Sequence, residues 1–133
     1  MEGAPSKNPN KIADPSIFPQ QLPVGVHMKS ENVYRSVQER AVDDLVETGV
    51  VRNAASAGYG GKHGDRVWWS KGVDGKHHTI QEGHVLYEAP HAIASERAIE
   101  HSDLLGVYKK DESGQVVNEL EEVRKRLGLN KEK

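Results

Sequence analysis

Hydrophobic positions in this chain fall into short runs separated by glycine and charge. Val33-Tyr34-Arg35-Ser36-Val37 places apolar and polar side chains on alternating faces, which predicts a first strand. The next segment, 38–48, carries Ala41, Val42, Leu45 and Val46 at i, i+1, i+4 and i+5, the stripe of an amphipathic helix. Gly49 is its predicted stop, and Ser36 with Glu39 predicts a capping box at its start. Val50-Val51-Arg52 predicts a short strand, followed by a loop over 53–64 that holds Gly58, Gly60, Gly61 and Gly64. Residues 66–71 read as a second main strand, and Asp74-Gly75 as a tight turn. Two more strands are predicted over 76–80 and 84–89, the latter ended by Pro90. A short helical turn over 92–98 and a strand over 104–110 come next. The turn 111–114 leads to a last short strand at Val116-Val117. A charged helix over 120–127, with Leu120, Val123 and Leu127 on one side, closes at Gly128.

The order β-α-β, then several strands, then a helical tail, predicts an α+β fold with a small mixed or antiparallel sheet and one or two packing helices. Residues 1–30 hold all but one of the six prolines, and their apolar residues show no period. They are expected to form a Pro-rich linker or extended arm, from which Ile17-Phe18-Pro19 can dock onto the domain. Residues 31–133 are expected to form a single domain.

Composition narrows the classes. With 133 residues, 35% hydrophobic and 5% aromatic, the chain suits one domain with a modest core. A net charge of −2 argues against a strongly electrostatic nucleic-acid binder, although a local basic patch remains compatible. The chain has no cysteine, so disulfides and thiolate metal sites are excluded. It shows no apolar run long enough for a membrane span, and no hydrophobic signal segment is read at Met1.

Chemistry-bearing residues concentrate between Gly58 and Pro90. Both tryptophans lie there, and five of the seven histidines lie there or at its edge. Arg35 sits mid-strand among apolar residues: either it faces solvent from an edge strand, or its fork of donors holds a phosphate. Ser70 follows the two tryptophans without a Gly-x-Ser-x-Gly elbow, which argues against a triad hydrolase. His77 and His78 are adjacent, so on a strand they face opposite ways and cannot chelate one ion together; no metal is expected. Imidazole titrates near neutrality, which makes His63, His77, His78 and His84 candidates for acid–base work. Glu82 and Glu88 are the carboxylates beside the strand that starts at His84.

These pieces, taken in order, resemble a family. A strand with Tyr34-Arg35-Ser36 leads into a helix ending in Thr48-Gly49-Val50. The aromatic strand Val67-Trp68-Trp69-Ser70 follows, and then Gln81-Glu82-Gly83-His84-Val85-Leu86-Tyr87-Glu88. Over about residues 33–110 the pattern resembles the small ADP-ribosyltransferase-like domains at the C-termini of bacterial polymorphic toxins. The Pro-rich leader is similar to the junction before such toxin tips. The resemblance implies that NAD is the substrate. Arg35, with Tyr34 beside it, and the loop residues Gly60 and Gly61 would hold its phosphates and ribose. Trp69 or Trp68 would lie near the nicotinamide. Ser70 would support the site, and Glu82 or Glu88 would stabilise the cationic ribose as the nicotinamide bond breaks. His84 stands where the family's carboxylate usually stands, so transfer, NAD hydrolysis and loss of activity all remain open. The resemblance further implies a secreted or delivered effector acting in a target-cell cytoplasm. Its target would be a protein or nucleic acid, and its partner a cognate immunity protein.

Two other classes fit the same residues. A metal-independent ribonuclease toxin would use two of the four histidines as acid and base, with Lys76 or Arg66 on the phosphate. A non-enzymatic interaction domain would show no such activity and would tolerate substitution on the face bearing Ser70.

Overall fold

The computed structural model describes residues 10–13, 25–52 and 67–131. The predicted glycine-rich loop, with Gly60, Gly61 and His63, lies outside them, as do Arg66 and Ile17-Phe18-Pro19. In chain order the elements are β1 (Asn10–Ala13), β2 (Val26–His27), β3 (Asn32–Gln38), α1 (Ala41–Thr48), β4 (Val67–Lys71), β5 (His77–His78), β6 (His84–Pro90), α2 (His91–Ala94), β7 (Gly106–Lys110), β8 (Val116–Asn118) and α3 (Leu120–Lys131). The fold is α+β. Strands β4-β3-β6-β7-β8 run antiparallel, and β1 adds parallel to β4, which makes the main sheet mixed. Among the described residues, a second sheet consists of β2 and β5. Two stretches of the Pro-rich leader therefore take part in strands, β1 on the main sheet and β2 on the small one.

Strand alternation sends side chains to two cores. Val33, Val37, Val67, Trp69, Val85, Tyr87, Ala89 and Val107 project to one side of the sheet. There they meet Val42, Leu45 and Val46 of α1 and Val123 and Leu127 of α3. On the other side Tyr34 and Leu86 pack under Val26, Met28 and Ile80 from the region of the small sheet. The central strand β6 is thus covered on both faces, from Val85 to Ala89. Removing these side chains from water is the main force that holds the layers together.

Several local expectations change in the structure. β3 runs through Ser36 to Gln38, because each of these residues pairs with β6, as far as His84. Ser36 is therefore a strand residue and no capping box forms; α1 begins later, after Arg40, with no side-chain cap. Gly49 does end the helix, in the left-handed conformation at φ 78°. The Asp74-Gly75 turn is present, with Gly75 at φ 82°, but the strands it joins pair with different partners. The expected strand at 50–52 is reduced to a single bridge between Val50 and Glu100. Gly128 does not close α3, which continues to Lys131.

Candidate functional site

Adjacent strand residues face opposite ways, and this separates the candidates into two groups. Cα pairing runs from Ser70 in β4 to Tyr34 in β3, to Glu88 in β6, and to Gly106 in β7. Ser70, Tyr34 and Glu88 therefore form one row on the face that meets the small sheet. Arg35 pairs with Tyr87 on the opposite face.

The row is built around Glu88, which is 6% exposed. Its Oε2 accepts the Tyr34 hydroxyl at 2.8 Å and the Asn32 side-chain amide at 3.0 Å. Its Oε1 accepts the Tyr108 hydroxyl at 2.8 Å. The Tyr34 oxygen in turn accepts the Lys29 backbone N–H at 2.8 Å. Burial, followed by the bond to Glu88, raises both phenols above the ordinary tyrosine pKa. Glycine makes the arrangement possible. A Cβ on Gly106 would stand 2.4 Å from the Tyr108 ring, so only glycine lets that ring lie across the strand towards Glu88. A Cβ on Gly72 would stand 2.0 Å from the Lys29 carbonyl oxygen and 2.8 Å from the Tyr34 ring. Asn32 and Tyr108 were not picked out by sequence reasoning. Their signal, a polar residue opening one strand and a tyrosine two strands away, has no meaning until the register is known.

The opposite face holds a cavity of about 260 Å³ between β3, β6 and α1, continued by the segment after α1. Arg35, Arg40, Arg52 and His84 line it, with Asp44 as its carboxylate. Asp44 is engaged by Arg52, whose Nε donates to Oδ2 at 3.0 Å and whose Nη2 donates to Oδ1. Arg35 donates from Nη1 to the Trp68 carbonyl at 2.8 Å. Its Nε has no partner among the described residues, although it is shielded from solvent. Burial lowers the guanidinium's pKa below its ordinary value, opposed by the neighbouring Tyr87 phenol. A cation that has lost water and regained little hydrogen bonding favours an incoming anion.

The remaining candidates are dispersed. Trp69 is 1% exposed in the main core, where its surface is taken up by other side chains. Tyr34 is equally enclosed. Glu82 is exposed in the turn before β6 and borders a separate groove that also touches His84. The His84 ring Nδ1 lies 3.1 Å from the Glu82 carbonyl oxygen. His77 and His78 sit on the small sheet, away from the Arg35 cavity. The structure thus brings Arg35 and His84 to one cavity and Tyr34, Ser70 and Glu88 to one row, with the sheet between them. No group of three or more histidine or carboxylate side chains placed to hold a metal ion occurs among the described residues. Among the same residues, no helix is long and apolar enough to cross a membrane. Comparison with protein-family models, with curated proteins and with solved structures finds no match to the chain.

Proposed function

We propose that the cavity between β3, β6 and α1 binds the phosphate groups of a nucleotide, with NAD as the ligand. The observation that carries this is Arg35. It is a largely desolvated guanidinium with one hydrogen bond to Trp68 and no described partner for Nε, and it lines a cavity shared with Arg40 and Arg52. A planar fork of N–H donors matches a phosphate edge with two parallel bonds, and the positive charge of Arg40 and of Arg52, the latter paired with Asp44, adds to the attraction for phosphate. NAD is named on the strength of the resemblance around Tyr34-Arg35-Ser36 and Val67-Trp68-Trp69-Ser70. The toxin-effector role, the macromolecular target and an immunity partner belong to the same proposal.

Geometry supports binding more directly than turnover. Glu88, proposed to stabilise the cationic ribose, is separated from the cavity by the sheet, and its oxygens already accept three protein donors. Glu82 does not line the cavity. NAD consumption is therefore tested separately from NAD binding. Calorimetric titration of NAD is expected to give saturable binding, and a nicotinamide-release assay on the same sample reports turnover. Free ADP-ribose would mark hydrolysis, and label fixed to an acceptor would mark transfer. A sample that neither binds NAD nor releases nicotinamide would overturn the proposal.

A further inference from the structure

We propose that His27 and His77 form a two-imidazole chelate for a divalent transition-metal ion of the zinc class, and that this ion fastens β2 to β5. The two residues are direct partners in the antiparallel small sheet, so they share a face. His27 Nδ1 lies 3.3 Å from His77 Nε2, and the rings stand perpendicular with centroids 4.8 Å apart. Two zinc–nitrogen bonds of about 2.0–2.1 Å meeting at a tetrahedral angle place their nitrogens roughly 3.3–3.4 Å apart. The protein thus holds the two nitrogens at the separation that a tetrahedral ion requires. Without an ion the imidazoles share one N–H; with it, both nitrogens act as acceptors towards the metal.

Adjacent histidines on one strand cannot do this, and His78 shows why. It turns to the other face, where its ring is 6.5 Å from that of Tyr34. His27, fifty positions earlier in the chain, supplies the partner that adjacency denies to His77. His27 is exposed and His77 half-buried, so water can complete the coordination sphere. The Asp74 carboxylate, held by the Ser30 N–H at 2.9 Å and the Ser30 hydroxyl at 3.0 Å, adds negative charge to the same end of the small sheet.

The site has a structural consequence. β2 and β5 pair over only two residue pairs, yet with Met28 and Ile80 they cover the core that contains Tyr34 and Leu86. An ion that binds the paired strands and not the separated ones stabilises the folded protein by mass action.

The test titrates zinc chloride into the untagged full chain, following uptake by competition with a chromophoric chelator and stability by thermal unfolding. Wild type is expected to take up one ion per chain, with a melting temperature that rises with zinc concentration. His27→Gln changes an exposed side chain, so it reads ligation rather than folding. It and His77→Gln should each lose the uptake and the zinc-dependent rise, while His91→Gln keeps both. No uptake by wild type, or undiminished uptake by the His27→Gln, His77→Gln double variant, would overturn the proposal.

Discussion

Tyr34 and Arg35 are neighbours in the chain, but the two faces they occupy satisfy polar groups in different ways. On the Tyr34 face, Glu88 is buried and both its oxygens accept protein donors, from Tyr34, Asn32 and Tyr108. On the Arg35 face, a shielded guanidinium spends one nitrogen on a backbone carbonyl and lines an open cavity with two other arginines. A buried polar network with every member satisfied fixes a fold. A desolvated cation beside empty space retains binding capacity. On the proposed reading, the first face serves stability and the second recognition.

The largest expected effect breaks the closed face. Glu88→Ala leaves three donors without their acceptor, at about 1–3 kcal/mol each, so stability should fall by roughly 3 kcal/mol or more. Tyr108→Phe removes one bond and should cost about 1 kcal/mol. Denaturant unfolding measures both. Samples that remain folded should bind NAD as wild type does. Glu88→Ala protein that keeps its stability and loses NAD binding would reverse the assignment of the two faces.

A smaller effect sharpens the comparison through pH. Tyr34 and Tyr108 have folded-state pKa values raised by burial and by the negative charge of Glu88. An unfolded tyrosine ionises near pH 10, whereas these two keep their protons beyond it. Their stabilisation is therefore complete below about pH 10 and is lost as pH rises towards the folded values. Phenolate absorbance, compared with Tyr34→Phe and Tyr108→Phe, should show these two tyrosines titrating late and together with unfolding; ordinary titration of both in the folded protein would contradict the network. His78 gives the smallest effect, with the opposite sign. Burial lowers its pKa, so its contribution is present above about pH 6.5 and fades as pH falls. Unfolding followed across mildly acidic pH should show a shallow loss of stability that His78→Gln removes.

Much of the fold was legible because local pattern and tertiary structure agree. The α1 stripe at Val42, Leu45 and Val46 is buried as its spacing predicts, and Gly49 ends the helix in the conformation glycine favours. Val123 and Leu127 of α3 enter the core as expected. Errors fall where long-range pairing decides. Ser36 carries a cap signature, but the ladder with β6 claims it as a strand residue. The Asp-Gly turn at 74–75 has hairpin chemistry, yet β5 pairs with β2 from the leader, which local sequence does not indicate. The candidate site was legible residue by residue and not as a set. Tyr34, Arg35, Ser70, His84 and Glu88 were picked out, but grouping them requires strand register. Register places Arg35 on the face opposite Ser70 and Glu88. The resemblance grouped Tyr34 with Arg35, although alternation along β3 puts neighbouring residues on opposite faces.

The central claim is that Arg35 is a phosphate ligand rather than a structural residue of β3. Calorimetric NAD titration of wild type, Arg35→Lys and Arg35→Ala, with thermal unfolding of each, tests it most directly. Lysine keeps the charge and loses the planar fork, so both variants should lose affinity. Each lost charge-assisted bond is worth about 1.5–3 kcal/mol, or roughly tenfold or more in affinity. Melting temperatures should stay close to wild type, because the guanidinium makes one described hydrogen bond, to Trp68. Unchanged NAD affinity in Arg35→Ala, with a lowered melting temperature that Arg35→Lys restores, would contradict the account and return Arg35 to the framework of the sheet.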